Sequence, residues 1–459
     1  MASGMTGSET GTGRLSERGS SLYMYVITFV AAVGGLMFGY DTAVISGAIV
    51  FMKEQFALSP LMEGWAVSCA LIGCIAGVSF AGTLSDRFGR KRGLLLAAMV
   101  FTISAVGTAI PRTITEFIIA RFFSGAAVGL ASMLSPVYIA EISPAPIRGR
   151  LVAINQLAII FGMLVTYVVN WMLVDIGPTN WQWMFASASF PSAIFFIALL
   201  FIPETPRWLA KQGRYDEGEA VLARIGGAGH AVEEMRSIRE TIFQESGRIS
   251  QLFQPGLRTA LVIGVVLAVF TQVTGINTIL YYTPKVFIMA GLADAGSAFS
   301  ATIVVGVVDV LFSILAVMYI DRLGRKGLLS IAVSGMGLFL FLLGLTFFVP
   351  GVPPVFTVIT VLFYVAFFML GLGPGFWVLV SEIFPTRIRG RAMSIVTVVL
   401  WSATFLVSVT FPSLVETIGE AATFWLYASM CILALIFIRK VVPETKGKTL
   451  EEIELLWNM

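Results

Sequence analysis

Three charges interrupt long apolar runs in this chain: Asp41 in FGYDTAVISG, Arg121 in IIARFFSG and Asp309 in GVVDV. A charge at the centre of a helix in lipid costs about 2.5–3.5 kcal/mol on insertion scales, so each is a functional candidate by default. The chemistry open to Asp41 is proton transfer. Burial favours a neutral carboxyl and a nearby guanidinium favours the ionised one. An Asp that alternates between such surroundings, with Arg121 as its partner, can take up and release a proton. A permanent structural ion pair is the alternative.

A second set of side chains suits carbohydrate. The run FTQVTGINTILYY (270–282) puts Gln272, Asn277, Tyr281 and Tyr282 in an apolar helix interrupted by Gly275, and GLGPGFW (371–377) places a Gly/Pro break before Trp377. Gln156 and Trp401 join them from two other apolar runs. Amides both donate and accept, which matches hydroxyl groups. Aromatic rings pack on the C–H faces of a pyranose, and broken helices can bend as a cavity closes. The competing readings are lipid packing for the aromatics and bonds between helices for the amides.

A third set is charged and occurs twice. DRFGRK (86–91) returns as DRLGRK (321–326), EISPAPIRGR (141–150) as EIFPTRIRGR (382–391), and PET (203–205) as PET (443–445). The matches keep their order at nearly one offset, so the chain is two homologous halves. Parallel repeats of this kind are the plan of a transporter that rocks about a site at the repeat interface. Asp86, Arg87 and Arg90 of the first half, and Asp321, Arg322 and Arg325 of the second, are expected in tight turns between spans. Glu141 with Arg150, and Glu382 with Arg391, end one span and start the next. Ion pairs among these groups would hold one face shut and break when it opens. The alternative is that the basic residues only set topology.

The elements that must carry these residues follow from composition. Of 459 residues 57% are hydrophobic and 12% charged, against about 25% charged in a soluble domain; the mean hydropathy is +0.89. This excludes a soluble enzyme and a nucleic-acid binder, and long apolar runs exclude a barrel of short alternating strands. At about 20 apolar residues per span the supply fits roughly a dozen helices. We place them at 22–49, 62–84, 93–111, 114–138, 150–174, 183–203, 259–290, 297–320, 327–349, 355–380, 391–414 and 421–441. The expected divisions are a tail at 1–21, a bundle at 22–203, a polar central loop at 204–258, a second bundle at 259–441 and a tail at 442–459.

Of the 30 lysines and arginines only Lys53, Arg112 and Lys285 fall at one end of the spans, with Arg121 inside one. The remainder crowd the opposite end, the central loop and the tails, which makes that side and both termini cytoplasmic. Residues 1–20 have no apolar core, so no cleavable signal peptide is expected. Cys69, Cys74 and Cys431 sit in apolar runs far from His230, the only histidine, so neither a metal site nor a cofactor is expected.

As an ordered set, the repeated motifs with PETPRWL (203–209) and PETKGKTLEE (443–452) resemble the sugar porter branch of the major facilitator superfamily, over about residues 22–457. FGYDTAVISG (38–47), GLASMLSPVYIAE (129–141) and NQLAIIFG (155–162) are similar to its bacterial proton-coupled xylose transporters in particular. The resemblance implies an all-α membrane protein, twelve transmembrane helices in two pseudo-symmetric six-helix bundles, with short cytoplasmic helices. It makes Asp41 the proton site and Arg121 its partner. Facilitative members carry Asn there, so Asp41 implies symport.

Gln156, Gln272, Asn277, Tyr281, Gly373, Trp377 and Trp401 match sugar contacts, and Phe38 an aromatic wall. Asp309 stands where relatives usually carry an Asn that contacts sugar. It could bond a hydroxyl more strongly, join the proton chemistry, or mimic Asn as a neutral acid. Thr271 and Leu400 replace glutamines, which leaves the preferred sugar open.

The expected function is proton-coupled symport of a pentose or hexose across the cytoplasmic membrane by alternating access. The partners are a monosaccharide, protons and the bilayer, with no nucleic acid and a monomeric chain. A facilitative uniporter of the same fold is the alternative. A sugar sensor is weaker because the tails are short, and an enzyme weaker still because no Ser–His or metal constellation is present.

Overall fold

The computed structural model describes residues 19–241, 249–254, 256–292, 294–385 and 388–446; the side chains of Asp321 and Arg322 lie outside that description. The first half comprises α1 (Ser21–Gln55), α2 (Pro60–Phe88), α3 (Arg90–Ala109), α4 (Ile114–Ile142), α5 (Arg148–Leu173), α6 (Asn180–Ser187) and α7 (Ser189–Phe201). Three short helices follow: α8 (Pro206–Lys211), α9 (Tyr215–Gly226) and α10 (Ala228–Thr241). The second half holds α11 (Leu257–Val273), α12 (Ile276–Met289), α13 (Ala295–Leu323), α14 (Arg325–Phe348), α15 (Pro354–Phe367), α16 (Gly373–Ile383), α17 (Arg389–Ile418) and α18 (Glu420–Lys440). Counting α6–α7, α11–α12 and α15–α16 as one span each, twelve helices are long and apolar enough to cross a membrane. In lipid only a helix satisfies its own backbone groups, and local signals set the starts. Ser20, Ser59 and Thr113 accept from the backbone N–H three residues on, with Pro60 just inside α2.

Within the first half α2 packs on α4 and α1 on α5; within the second α14 packs on α18 and α11 on α17. Small residues permit this. A Cβ on Gly73 or Gly77 would strike the backbone of Phe122 or Ala126 in α4, and one on Gly125 or Gly129 that of Ala70 or Cys74 in α2. Without a hydrophobic drive between helices in lipid, such close backbone contact is what holds a bundle together.

Both expected breaks are present. Between α11 and α12 Gly275 takes φ +89°, and the Tyr364 hydroxyl donates to the freed Thr274 carbonyl at 2.9 Å. Between α15 and α16 the chain widens into a π turn at Phe368–Leu372. There Gly371 lies against α14, where a Cβ would come within 2.7 Å of the Leu328 carbonyl oxygen.

The halves meet through α2 with α17 and α5 with α13, at the end away from the charged repeats. A Cβ on Gly64 would strike the Val409 carbonyl. Trp65 stands edge-on to Phe405 at 5.5 Å and Phe51 lies 6.2 Å from Phe299. At the motif end Arg150 and Arg391 are exposed, and a Cβ on Gly149 or Gly390 would meet nothing within 4 Å. The molecule is shut at the far end and parted at the motif end.

Candidate functional site

Asp41 of α1 and Arg121 of α4 are both buried, at 6% and 2% exposure. The Arg121 Nη1 donates to Asp41 Oδ1 at 2.6 Å and its Nη2 to the Asp41 carbonyl oxygen at 3.4 Å. Ser124, one helical turn on from Arg121, donates its hydroxyl to the same Oδ1. The Phe185 ring lies 5.5 Å from the guanidinium carbon, a cation–π contact that offsets part of the desolvation. Ser124 was not foreseen, although its three-residue spacing from Arg121 puts it on the same helix face.

This pair opens on a cavity of about 20 Å³, enough for a single water. Its other walls include Phe38 and Thr42 of α1, Tyr281 of α12 and Trp401 of α17. Phe38 and Trp401 are 5.4 Å apart across the bundle interface. One narrow space therefore touches the ionic pair of the first half and two of the ring-bearing residues of the second.

The Gly275 break aims the amides. Asn277 Nδ2 donates to Gln272 Oε1 at 2.6 Å across it. The two amides thus hold each other within one span rather than bonding between helices. Each keeps one polar atom, the Gln272 amino group and the Asn277 carbonyl, for another partner. Trp377 is half-buried on α16 with its ring edge-on to Phe376 at 4.9 Å, and Gly373 begins that helix. Gln156 on α5 is exposed.

Thr271 spends its hydroxyl on the Leu267 carbonyl at 2.8 Å, so it does not replace an amide, and Leu400 is buried. Asp309 is not brought to the cavity. It is 0% exposed on α13, and neither carboxyl oxygen has a hydrogen-bond partner among the described residues. The Tyr167 hydroxyl on facing α5 is likewise without one.

At the motif end the two halves repeat one clamp. The Arg90 guanidinium holds Glu141 at 3.0 Å, and that of Arg325 holds Glu382 at 2.8 Å. Thr205 and Thr445 each donate to the same glutamate at 2.6 Å. Glu204 accepts from the backbone N–H of Arg90 and Lys91, and Glu444 from those of Arg325 and Lys326, at 3.0 and 3.1 Å in both halves. Burial pushes the Glu204 carboxyl above its usual range, opposed by the backbone N–H groups it accepts and by Arg90.

Among the charges expected to pair, Arg150 and Arg391 do not reach Glu141 and Glu382 here. Both arginines are exposed, and neither makes an ion pair among the described residues. Arg90 and Arg325 are the first residues of helices that start against the glutamates, whereas Arg150 and Arg391 are the third residues of α5 and α17, on an exposed face. Asp86 pairs with Arg90 at 3.2 Å and Lys211 at 3.8 Å, and Arg87 lies over Phe88. Sequence reasoning used the PET repeats only as markers of duplication. Their glutamates and threonines close the clamps.

The family described as "Sugar (and other) transporter" matches residues 27–457. This chain belongs to the sugar porters of the major facilitator superfamily. Over 442 residues, 95% of each chain, it is 44% identical to the arabinose-proton symporter of Bacillus subtilis. It is 42% identical to the D-xylose-proton symporter of Escherichia coli, covering 95% of this chain and 96% of that one. Among solved structures it is similar to the E. coli xylose transporter in an inward-open conformation, with a TM-score of 0.84 at 40% identity over 95% of this chain and 100% of that one. Against the form of that transporter bound to 6-bromo-6-deoxy-D-glucose the TM-score is 0.79 at 41% identity, over 95% and 99%. As a sugar porter the chain is a transporter and not an enzyme.

Proposed function

We propose that this sugar porter is a proton-coupled monosaccharide symporter of the cytoplasmic membrane. One observation carries the reading: Asp41 and Arg121 share their cavity with Phe38, Tyr281 and Trp401. Proton binding at Asp41 removes the charge that Arg121 holds. The freed guanidinium and the neutral carboxyl then alter the wall on which the sugar ring packs, so loading of one site is felt at the other. The Gln272–Asn277 amides and Trp377 supply hydroxyl bonding and a ring face on the second bundle. Gln156 completes the set from the first. Pentoses and hexoses are the proposed substrates, since relatives similar over nearly their whole length include proteins named for arabinose, xylose and glucose.

Residues 22–203 and 259–441 are the proposed rocking bodies, joined through 204–258. The Lys and Arg bias puts the motif end and both termini in the cytoplasm, so the parted end faces inward. The clamps of Arg90 and Arg325 brace the inner ends of each body. Each chain encloses its own cavity, so a monomer suffices for transport.

Uptake of labelled pentoses and hexoses into proteoliposomes, with and without an inward proton gradient, tests the proposal. Accumulation above equilibrium only with the gradient is expected. Equilibration indifferent to the gradient would establish a uniporter instead, and no uptake of any sugar would overturn the substrate class.

A further inference from the structure

Glu63 stands outside everything described so far. It lies in the first turn of α2 at the shut end, and its acidic side chain is only 1% exposed. Two lysines reach it. Lys53 at the end of α1 lies 3.4 Å from its Oε2 and is 44% exposed. Lys285 of α12 donates to its Oε1 and is only 18% exposed. Its ammonium also sits 5.6 Å from the Tyr282 ring centroid. Lys53 belongs to the same bundle as Glu63, whereas Lys285 belongs to the other. Next in sequence, Gly64 and Trp65 make the close contacts with Val409 and Phe405 across the bundle interface.

We propose that the Glu63–Lys285 pair is the outer latch of the transport cycle, with Lys53 as the partner that keeps Glu63 when the latch opens. The inference rests on the rocking motion and orientation proposed above. The argument is electrostatic. Removing one partner of a buried pair is costly because it strands the other charge. A latch of two groups alone would therefore resist opening too strongly to be part of a cycle. Here Lys53 travels with Glu63 on the same body, so the carboxylate is never without a cation. Lys285, near the end of its helix, gains water as it leaves. The pair thus biases the molecule toward the inward-facing form without locking it there.

The test uses the full chain in right-side-out vesicles with a Ser408→Cys reporter. Ser408 is 0% exposed on α17, beside Val409 at the seal. The native Cys69, Cys74 and Cys431 are buried, and the chain without the reporter gives their background. A membrane-impermeant maleimide added outside should label the reporter slowly. A charge-assisted hydrogen bond shifts an equilibrium by roughly ten- to a hundredfold, so Lys285→Met should label about tenfold faster or more. Glu63→Gln should do the same, and Lys285→Arg should return to the parent rate. Lys53→Met should not accelerate labelling, because the cross-bundle bond remains.

If Glu63→Gln fails to reach the membrane, Lys285→Met decides alone. Equal labelling of Lys285→Met and the parent would overturn the latch, and acceleration by Lys53→Met equal to that of Lys285→Met would overturn the division between the lysines. A Gly390→Cys thiol at the motif end should label only from the inside. Labelling of that thiol from outside would overturn the orientation instead, and the Lys285→Met comparison, read from the other face, would still judge the latch.

Discussion

Replacing Asp41 by Asn separates the proton from the sugar. The amide keeps a carbonyl oxygen where Arg121 and Ser124 now donate, but it loses the charge and cannot release a proton. The guanidinium stays charged, so its bond to the amide oxygen remains one to a charged group, about 1.5–3 kcal/mol, while the attraction of the ion pair is lost. Deleting one partner of a buried pair outright costs about 3–5 kcal/mol. Arg121 is not fully stranded, because the backbone carbonyl of residue 41 and the Phe185 ring remain within 3.4 and 5.5 Å. The expected destabilisation is therefore intermediate, about 2–3 kcal/mol, which thermal unfolding in detergent would register.

Sugar affinity should stay within about threefold, or ~0.7 kcal/mol, of that of the proton-loaded wild type, since the amide mimics a protonated Asp41, which shares a cavity with Tyr281 and Trp401 but bonds to neither. Gradient-driven accumulation should vanish, because no proton can leave on the inside to complete the cycle. Sugar counterflow should persist, because exchange requires only the loaded carrier. Both are measured on the same proteoliposomes. Accumulation at the wild-type level in Asp41→Asn would refute the assignment and move attention to Asp309. A loss of affinity beyond tenfold would show instead that Asp41 touches the sugar.

Four further outcomes are expected. Trp377→Ala should abolish or greatly weaken calorimetric sugar binding while the protein stays folded; wild-type affinity would remove α16 from the site. Gln272→Ala should weaken binding by about 1–3 kcal/mol, the cost of leaving a polar partner unmet, and Leu400→Gln should change the ranking among sugars if position 400 reaches the ligand. Arg325→Ala should lower stability by about 2–3 kcal/mol by leaving Glu382 without its guanidinium, whereas exposed Arg391→Ala should stay within about 0.5 kcal/mol; equal losses would contradict the clamp. Because the folded Glu204 carboxyl titrates above its unfolded value, its contribution to stability is fully present below the unfolded pKa and is lost as pH rises through the folded one. Glu204→Gln should flatten the part of the unfolding profile that lies just above the ordinary glutamate range of about 4.3.

Much of the fold was legible because lipid allows so few solutions. Composition set the number of spans, and the Gly275 and Gly371–Pro374 punctuation marked the two interrupted helices before any contact was known. The duplicated motifs announced two equivalent bodies. Span ends were less legible. α1 runs to Gln55, six residues past the expected limit at 49, because its last turns leave the apolar layer yet stay helical against the start of α2. Span 6 breaks in two at Ala188, where nothing as strong as a Gly–Pro pair marks the place.

The site was legible wherever a single residue contradicted its surroundings, and obscure wherever meaning came from a partner distant in sequence. Asp41 and Arg121 are each costly alone in an apolar run, so each pointed to the other across 80 residues. Glu141 had candidate arginines in two motifs, Arg90 and Arg150, and spacing along the chain does not choose between them. The choice of Arg90 depends on which helix start faces the end of α4, a property of packing that spacing along the chain does not encode. Glu63 is the extreme case. It lies at a span end where nothing in the sequence singles it out, and only the approach of α12 from the other half sets it beside Lys285. The residues least visible in the sequence are thus those whose surroundings are made by segments distant in the chain, within one half for Arg90 and Glu141 and across the halves for Glu63 and Lys285.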